Sequence, residues 1–182
     1  MRVETRLKRK IMNSKYLNEN EYAPYFKSYV KNLGDVDLFE TLTSSIVDTL
    51  ALLKDIPEEK LMYRYVEGKW TIKELIQHII DAERILSYRA LRFSRNDATD
   101  LQGFDEDWYV DHSNGNERNF KDMLQEFTHL RNATISLFTS FTDEMLTKSG
   151  SVNRSDMSVR ALGFIISGHH LHHIKIIKEK YL

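Results

Sequence analysis

Residues 158–181 read SVRALGFIISGHHLHHIKIIKEKY. Leu162, Ile166 and Ile176 fall on one face of a helix, and Ser158 is a typical N-cap before the first turn. The segment therefore predicts a long helix with a buried apolar face. The same segment contains four of the seven histidines of the chain.

Two of these histidines fall on the apolar face. His169 and His173 are four residues apart, so their rings lie one above the other. Imidazole nitrogens that are buried without partners cost free energy, and a divalent metal ion would satisfy them. His172 is an alternative ligand that leans away from this face. His170 points further round the helix, and we expect it at a surface or an interface.

Three more segments have helical periodicity, at 37–54, 71–94 and 117–142, and no window shows sustained alternation of period two. Residues 95–116 are rich in turn-forming residues and read as an irregular connection that crosses the fold or covers a site. The sequence therefore predicts an all-α protein, a four-helix bundle with a long crossover between helices two and three.

The start of the second predicted helix supplies a third candidate ligand. Thr71 and Glu74 fit a capping box, which sets the register of the residues that follow. In that register His78 shares an apolar face with Leu75 and Ala82. Three neutral imidazoles would leave a divalent ion with open positions, as in catalytic sites. A core histidine bonded to a carbonyl group or water, or an exposed histidine run, would also fit the spacing.

Composition excludes several classes of function. With 26 basic and 27 acidic residues, the chain lacks the basic excess of nucleic-acid-binding proteins. It has no cysteine, which excludes disulfides and thiolate metal sites. No stretch approaches the apolar length of a membrane span, so we expect a cytoplasmic protein without membrane or nucleic-acid partners.

The length of 182 residues fits one main domain. We assign residues 37–182 to a helical-bundle domain. Residues 1–36 form an N-terminal extension that is partly helical, with a short helix at Tyr22–Leu33. The first ten residues, MRVETRLKRK, lack an apolar run and are expected to be a solvated terminus rather than a signal peptide.

From about Leu38 to the C-terminus the sequence resembles the DinB/YfiT-like superfamily. The resemblance is carried by the order and spacing of five motifs: Trp70–Arg84, Tyr88–Phe93, Gly103–Asp107, Ser158–Leu162 and Gly168–His173. It implies a four-helix bundle with a three-histidine metal site, which maps to His78, His169 and His173. It also implies nickel, zinc or a similar divalent ion, and a homodimer. Some similar proteins are transferases or isomerases that use a low-molecular-weight thiol such as bacillithiol or mycothiol.

Three functional hypotheses follow. The first is a metal-dependent enzyme, a hydrolase or thiol S-transferase that acts on an unknown small molecule. The second is a non-catalytic module stabilised by metal, and the third is a helical interaction protein without metal. Asp81 is either a ligand-orienting carboxylate or a solvated acid. Asp105 and Tyr109 either close over the site or pack within the crossover, and the sequence identifies no general base.

Overall fold

The computed structural model describes residues 11–182. Its α-helices are, in chain order, α1 (Lys27–Leu33), α2 (Leu38–Leu53), α3 (Glu58–Leu61), α4 (Ile72–Ser94), α5 (Glu106–Asp111), α6 (Phe120–Ser140), α7 (Asp143–Thr147) and α8 (Val159–Ile176). Short 3-10 turns span Ser14–Tyr16, Glu19–Glu21, Pro24–Phe26 and Gly115–Glu117, and a π-helical turn, Ile177–Tyr181, continues α8. Strands β1 (Ser149–Val152) and β2 (Ser155–Ser158) form an antiparallel hairpin. The predicted solvated terminus at residues 1–10 lies outside the described residues.

The four long helices α2, α4, α6 and α8 form the bundle, which confirms the predicted all-α fold and its crossover between the second and third long helices. Helix α8 packs against α1, α2 and α4, and α6 packs against α2 and α4. Among residues 11–182, no helix is both long and apolar enough to cross a bilayer.

The predicted capping box at the start of α4 is confirmed. The Thr71 hydroxyl accepts the Glu74 N–H at 3.1 Å, and the Glu74 carboxylate accepts the Thr71 N–H at 2.7 Å. The same carboxylate also binds Arg64 and the side chain of Asn116. These contacts fix where α4 begins, and therefore which face of the helix His78 occupies.

Helix α8 lies in the centre of the fold. Every residue from Ala161 to His170 is buried, so this helix has no solvent-exposed face over three turns. A helix that is buried on all sides does not show a single apolar stripe. The one-sided pattern predicted from Leu162 and Ile166 is therefore too narrow for this helix.

The β1–β2 hairpin was not predicted. Its two-residue turn places Asn153 and Arg154 at φ of 48° and 63°, as in a type I′ turn. The strands have four residues each, too few to show a period of two, and the turn lacks the usual Asn-Gly signal. The backbone of Leu101 bonds to Ser151 and Asn153, which ties the start of the crossover to the hairpin.

The described part of the N-terminal segment packs on the bundle at α8. A Cβ atom on Gly168 would lie 2.4 Å from the backbone oxygen of Tyr29, so only glycine allows α1 to approach this closely. The approach places the Tyr29 ring on the side chains of His169 and His172, with centroid distances of 5.5 and 5.1 Å.

A carboxylate anchors the same segment at the start of α8. Glu21 accepts hydrogen bonds from the Arg160 guanidinium, the Ser158 hydroxyl and the Asn18 N–H, at 2.7, 2.8 and 2.9 Å. Burial alone would raise the pKa of Glu21, but these donors outweigh it and hold the pKa below its usual value.

We expect Gly168→Ala to lower the free energy of unfolding by about 1–3 kcal/mol, because the new methyl group meets backbone that cannot move alone. Urea denaturation measures the change. Gly163→Ala is the comparison variant, since its methyl group would meet the side chains of Leu38 and Phe138 rather than backbone, and we expect a smaller loss. A Gly168→Ala protein that is as stable as the wild type would contradict the close approach.

We expect Glu21→Gln to destabilise the protein by about 1–3 kcal/mol at pH 7. Because the folded-state pKa is lowered, the stabilisation by Glu21 is present above its ordinary value of 4.5. It is lost as the pH falls through the folded-state pKa, so the two proteins should converge in acid. Denaturant midpoints between pH 7 and 3 test this, with Glu67→Gln, in an exposed loop, as the control. A difference in stability between the wild type and Glu21→Gln that stays constant with pH would refute this role of Glu21.

Candidate metal centre

The structure brings together the three histidines that the sequence predicts. The Nε2 atom of His169 lies 2.8 Å from Nε2 of His78 and 3.1 Å from Nε2 of His173. One ring nitrogen from each residue falls within 4.8 Å of the other two. His78 comes from α4, and His169 and His173 come from one face of α8.

This donor set fits a cation better than it fits hydrogen bonds. Two nitrogens that each lie about 2.0–2.1 Å from one ion are separated by roughly 2.9 Å at a right angle and roughly 3.4 Å in a tetrahedron. The observed contacts lie near this range. An imidazole nitrogen carries one proton or one lone pair, so Nε2 of His169 cannot form two good hydrogen bonds at once.

Burial keeps all three rings neutral. It lowers the pKa of His78 to about 4. It also lowers the pKa of His173 to about 3, with smaller effects from His78 and His172. Burial, followed by the neighbouring His173 and His78, holds the pKa of His169 well below its usual value. A neutral imidazole has a free lone pair, which is the form that binds a metal ion.

Aromatic rings from outside the two helices surround the histidines. The Trp70 ring lies 4.8 Å from the ring of His78 and 6.4 Å from that of His173. Tyr29, which belongs to α1, packs on the ring of His169. The Nδ1 atom of His173 is buried and has no hydrogen-bond partner among residues 11–182, so packing and the contact of Nε2 with His169 orient this ring.

A cleft of about 220 Å³ opens beside His173. Its apolar walls are Tyr65, Trp70, Leu75, Ile176 and Tyr181, and its charged side chains are Lys69 and Asp107. Of the three clustered histidines, His173 lines this cleft and the other two do not. His173 is therefore the residue through which the three clustered histidines meet this cleft.

The crossover reaches the cleft through Asp107. Asp105 instead caps α5, where it accepts the Trp108 N–H at 3.0 Å. Tyr109 packs on Phe104, with 5.1 Å between ring centroids. The structure thus favours packing within the crossover for Asp105 and Tyr109. Asp105, Glu106 and Asp107 are consecutive acidic residues at the start of α5, and the sequence does not indicate which of them reaches the cleft.

The expectation that His170 lies at a surface or an interface was wrong. Its side chain is buried, and its Nε2 atom lies 2.9 Å from the Thr49 hydroxyl. Burial, followed by the nearby charge of Arg131, holds the pKa of His170 well below its usual value. The ring packs on Phe127, at 5.1 Å between centroids. The error arises because the side of α8 that carries His170 packs against α2 and α6, through Thr49 and Phe127.

His170 belongs to a polar layer that crosses all four long helices. The layer consists of Ser45, Thr49, Glu83, Arg131, His169 and His170. Arg131 donates to both carboxylate oxygens of Glu83 and, at 2.7 Å, to the Ser45 hydroxyl. Both charged side chains are buried, with 0% and 2% exposure. This network fixes α2, α4 and α6 relative to one another.

The other three histidines and Asp81 do not belong to the group whose ligand atoms converge. His172 is half-buried against Tyr29 and is outside the group whose nitrogens converge. His129 is exposed. His112 is exposed and stacks on Trp108. Asp81 accepts a hydrogen bond from Gln77 and pairs with Arg84, so its contacts do not include His78.

Comparisons with known proteins agree with this architecture. A family model described as the DinB superfamily matches residues 41–177. The fold is similar to that of YfiT from Bacillus subtilis, described as a probable metal-dependent hydrolase with an unusual four-helix bundle topology. The TM-score is 0.72 at 15% identity, over 78% of this chain and 82% of that one. No curated protein matches this chain significantly in sequence.

We expect Arg131→Met to destabilise the protein by about 3–5 kcal/mol, because it leaves the Glu83 carboxylate buried without its partner. The double variant Glu83→Met/Arg131→Met removes both charges and should be more stable than the single variant. Urea denaturation of the four proteins of this mutant cycle measures the coupling. If the losses of unfolding free energy in the two single variants add up to the loss in the double variant, the two side chains are not coupled.

Proposed function

The chain belongs to the DinB superfamily, as the sequence motifs predict, and we propose that it is a metal-dependent enzyme. In this proposal His78, His169 and His173 hold one divalent ion. The observation that carries it is the convergence of three neutral, buried imidazole nitrogens beside an open cleft. Imidazole ligands suit zinc and nickel, among other divalent ions.

The proposed reaction is hydrolysis of a small molecule or transfer of a low-molecular-weight thiol. When bound, the ion would act as a Lewis acid and would lower the pKa of a ligated water or thiol. Asp107 is the carboxylate among the residues that line the cleft, and we assign it the role of proton acceptor. Trp70 packs on His78 and His173 and also lines the cleft, which we assign as the route for substrate.

The similarity to YfiT supports the hydrolase version, since that protein is described as a probable metal-dependent hydrolase. At 15% identity the likeness shows a shared fold, and the activity remains our proposal. A cytoplasmic homodimer also remains an expectation from the sequence. The alternative of a non-catalytic module would require an ion with no exchangeable position facing the cleft.

Metal binding can be tested with the two tryptophans of the chain. In a Trp108→Phe variant the remaining fluorescence comes from Trp70, whose ring contacts His78. We expect Ni²⁺ to quench this fluorescence and to saturate at one ion per chain. In a Trp70→Phe variant the remaining Trp108 stacks on His112 and lines neither the cleft nor the three-histidine group, and quenching should be weak.

His78→Gln in the Trp108→Phe background should weaken Ni²⁺ binding by more than about 100-fold, since removing a neighbour of a ligand already costs 10–100-fold. His129→Gln, on the exposed side of α6, is the matched control and should bind as before. Elemental analysis of protein purified without a histidine tag gives the stoichiometry. A content far below one ion per chain that His78→Gln leaves unchanged would refute the metal site.

Catalysis is tested separately on metal-loaded protein. We would screen small esters and amides, and thiols paired with electrophiles, with His78→Gln as the inactive control. Turnover that follows metal content supports the enzyme. A tightly bound ion that raises the melting temperature but admits no added ligand would favour the non-catalytic module instead.

A further inference from the structure

The cleft beside His173 offers a ligand a route toward the three clustered histidines. A larger groove, of about 490 Å³, lies along another part of α8 and is lined by Tyr29, Leu171, His172 and Lys175 among others. None of the three clustered histidines lines that groove. If the proposed metal site holds, the organic part of the substrate therefore sits in the 220 Å³ cleft.

The walls of this cleft are mainly aromatic, and hydrogen bonds and ring contacts hold them in place. The Tyr181 hydroxyl donates to the backbone carbonyl of Trp70 at 2.5 Å, so this polar group is already engaged. Tyr65 packs edge-on against the Tyr181 ring, with centroids 5.1 Å apart. Leu75 and Ile176 complete the wall with aliphatic side chains. Such a frame favours flat apolar groups, which contact ring faces and edges.

The size and charge of the cleft limit the ligand further. An apolar cavity of about 150 Å³ accommodates benzene, so 220 Å³ leaves room for one ring and a short polar group. The charged lining residues Lys69 and Asp107 are both exposed, which places their charges toward solvent. A polar group of the ligand is therefore best placed at the histidines or near these two charges.

We infer that the substrate carries a flat apolar group, such as an aromatic ring, that binds between Tyr65, Trp70 and Tyr181. Its reacting oxygen or sulfur atom then faces the three histidines through His173. This inference rests on the proposed function, because it assumes a metal ion at the histidines. It goes beyond that function in naming the class of substrate and the residues that select it.

The test compares two hydroxamates, which bind metal ions through the same group. Benzohydroxamate carries a phenyl ring and acetohydroxamate carries a methyl group. By calorimetry on Ni²⁺-loaded protein, we expect benzohydroxamate to bind at least about tenfold more tightly, since even one buried methylene group gives about that factor. Metal-free protein should bind both ligands more weakly.

Tyr65 and Tyr63 provide a matched pair of variants. Both rings pack edge-on against Tyr181, but Tyr65 lines the cleft and Tyr63 does not. Tyr65→Ser should reduce the preference for benzohydroxamate by at least threefold, whereas Tyr63→Ser should leave it unchanged. Both positions are at least partly exposed, so folding should survive, and metal content is measured for each variant.

The possible results distinguish a failure of the aromatic cleft from a failure of the metal site. Equal affinity for both hydroxamates, or an equal effect of both tyrosine variants, would refute the binding of an aromatic group in the cleft. Neither result would contradict the metal site. If loaded protein binds neither hydroxamate, the ion has no open position facing the cleft, and the enzyme proposal fails together with this inference.

Discussion

Burying polar side chains inside a helical bundle costs free energy unless each finds a partner, and this chain buries them on all four long helices. The polar layer of Ser45, Thr49, Glu83, Arg131, His169 and His170 lies between two apolar clusters. One cluster contains Leu42, Phe93 and Leu162, and the other contains Leu53, Ile80 and Ile177. In each of the four helices the polar residues fall between the stretches that enter the two clusters. The apolar packing thus fixes helix register, and register decides which polar groups meet.

The candidate metal centre depends on this arrangement. His169 projects from the middle of α8 toward α4, whereas its neighbour His170 projects toward Thr49 on α2. Two adjacent histidines therefore receive different partners because they face different helices. His170 has a hydroxyl partner of its own, so its Nε2 atom is engaged. The rings of His78, His169 and His173 instead face one another. Their converging nitrogens cannot all form good hydrogen bonds within the protein.

The features that depend on interactions between residues close in sequence could be predicted from the sequence. The capping box fixed the start of α4 and therefore the face of His78, and the four-residue spacing placed His169 and His173 together. What failed depended on tertiary position. His170 was misplaced because amphipathic periodicity assumes that one face meets water, and α8 is central. The hairpin strands were too short for periodicity, and the role of Asp107 depends on where the crossover returns to the bundle.

The segments outside the four long helices decide what kind of site this is. Two helices alone would present three imidazoles in a seam of the bundle. Tyr29 covers His169 from the N-terminal segment, and Trp70 covers His78 from the loop before α4. The crossover adds Asp107 to the cleft beside His173. The bundle helices position the nitrogens, whereas most of the cleft lining comes from residues outside the four long helices, so much of the cleft can vary while the ligand set is kept. A shared fold at low sequence identity therefore says little about substrate, which must be argued from the connecting segments of each chain.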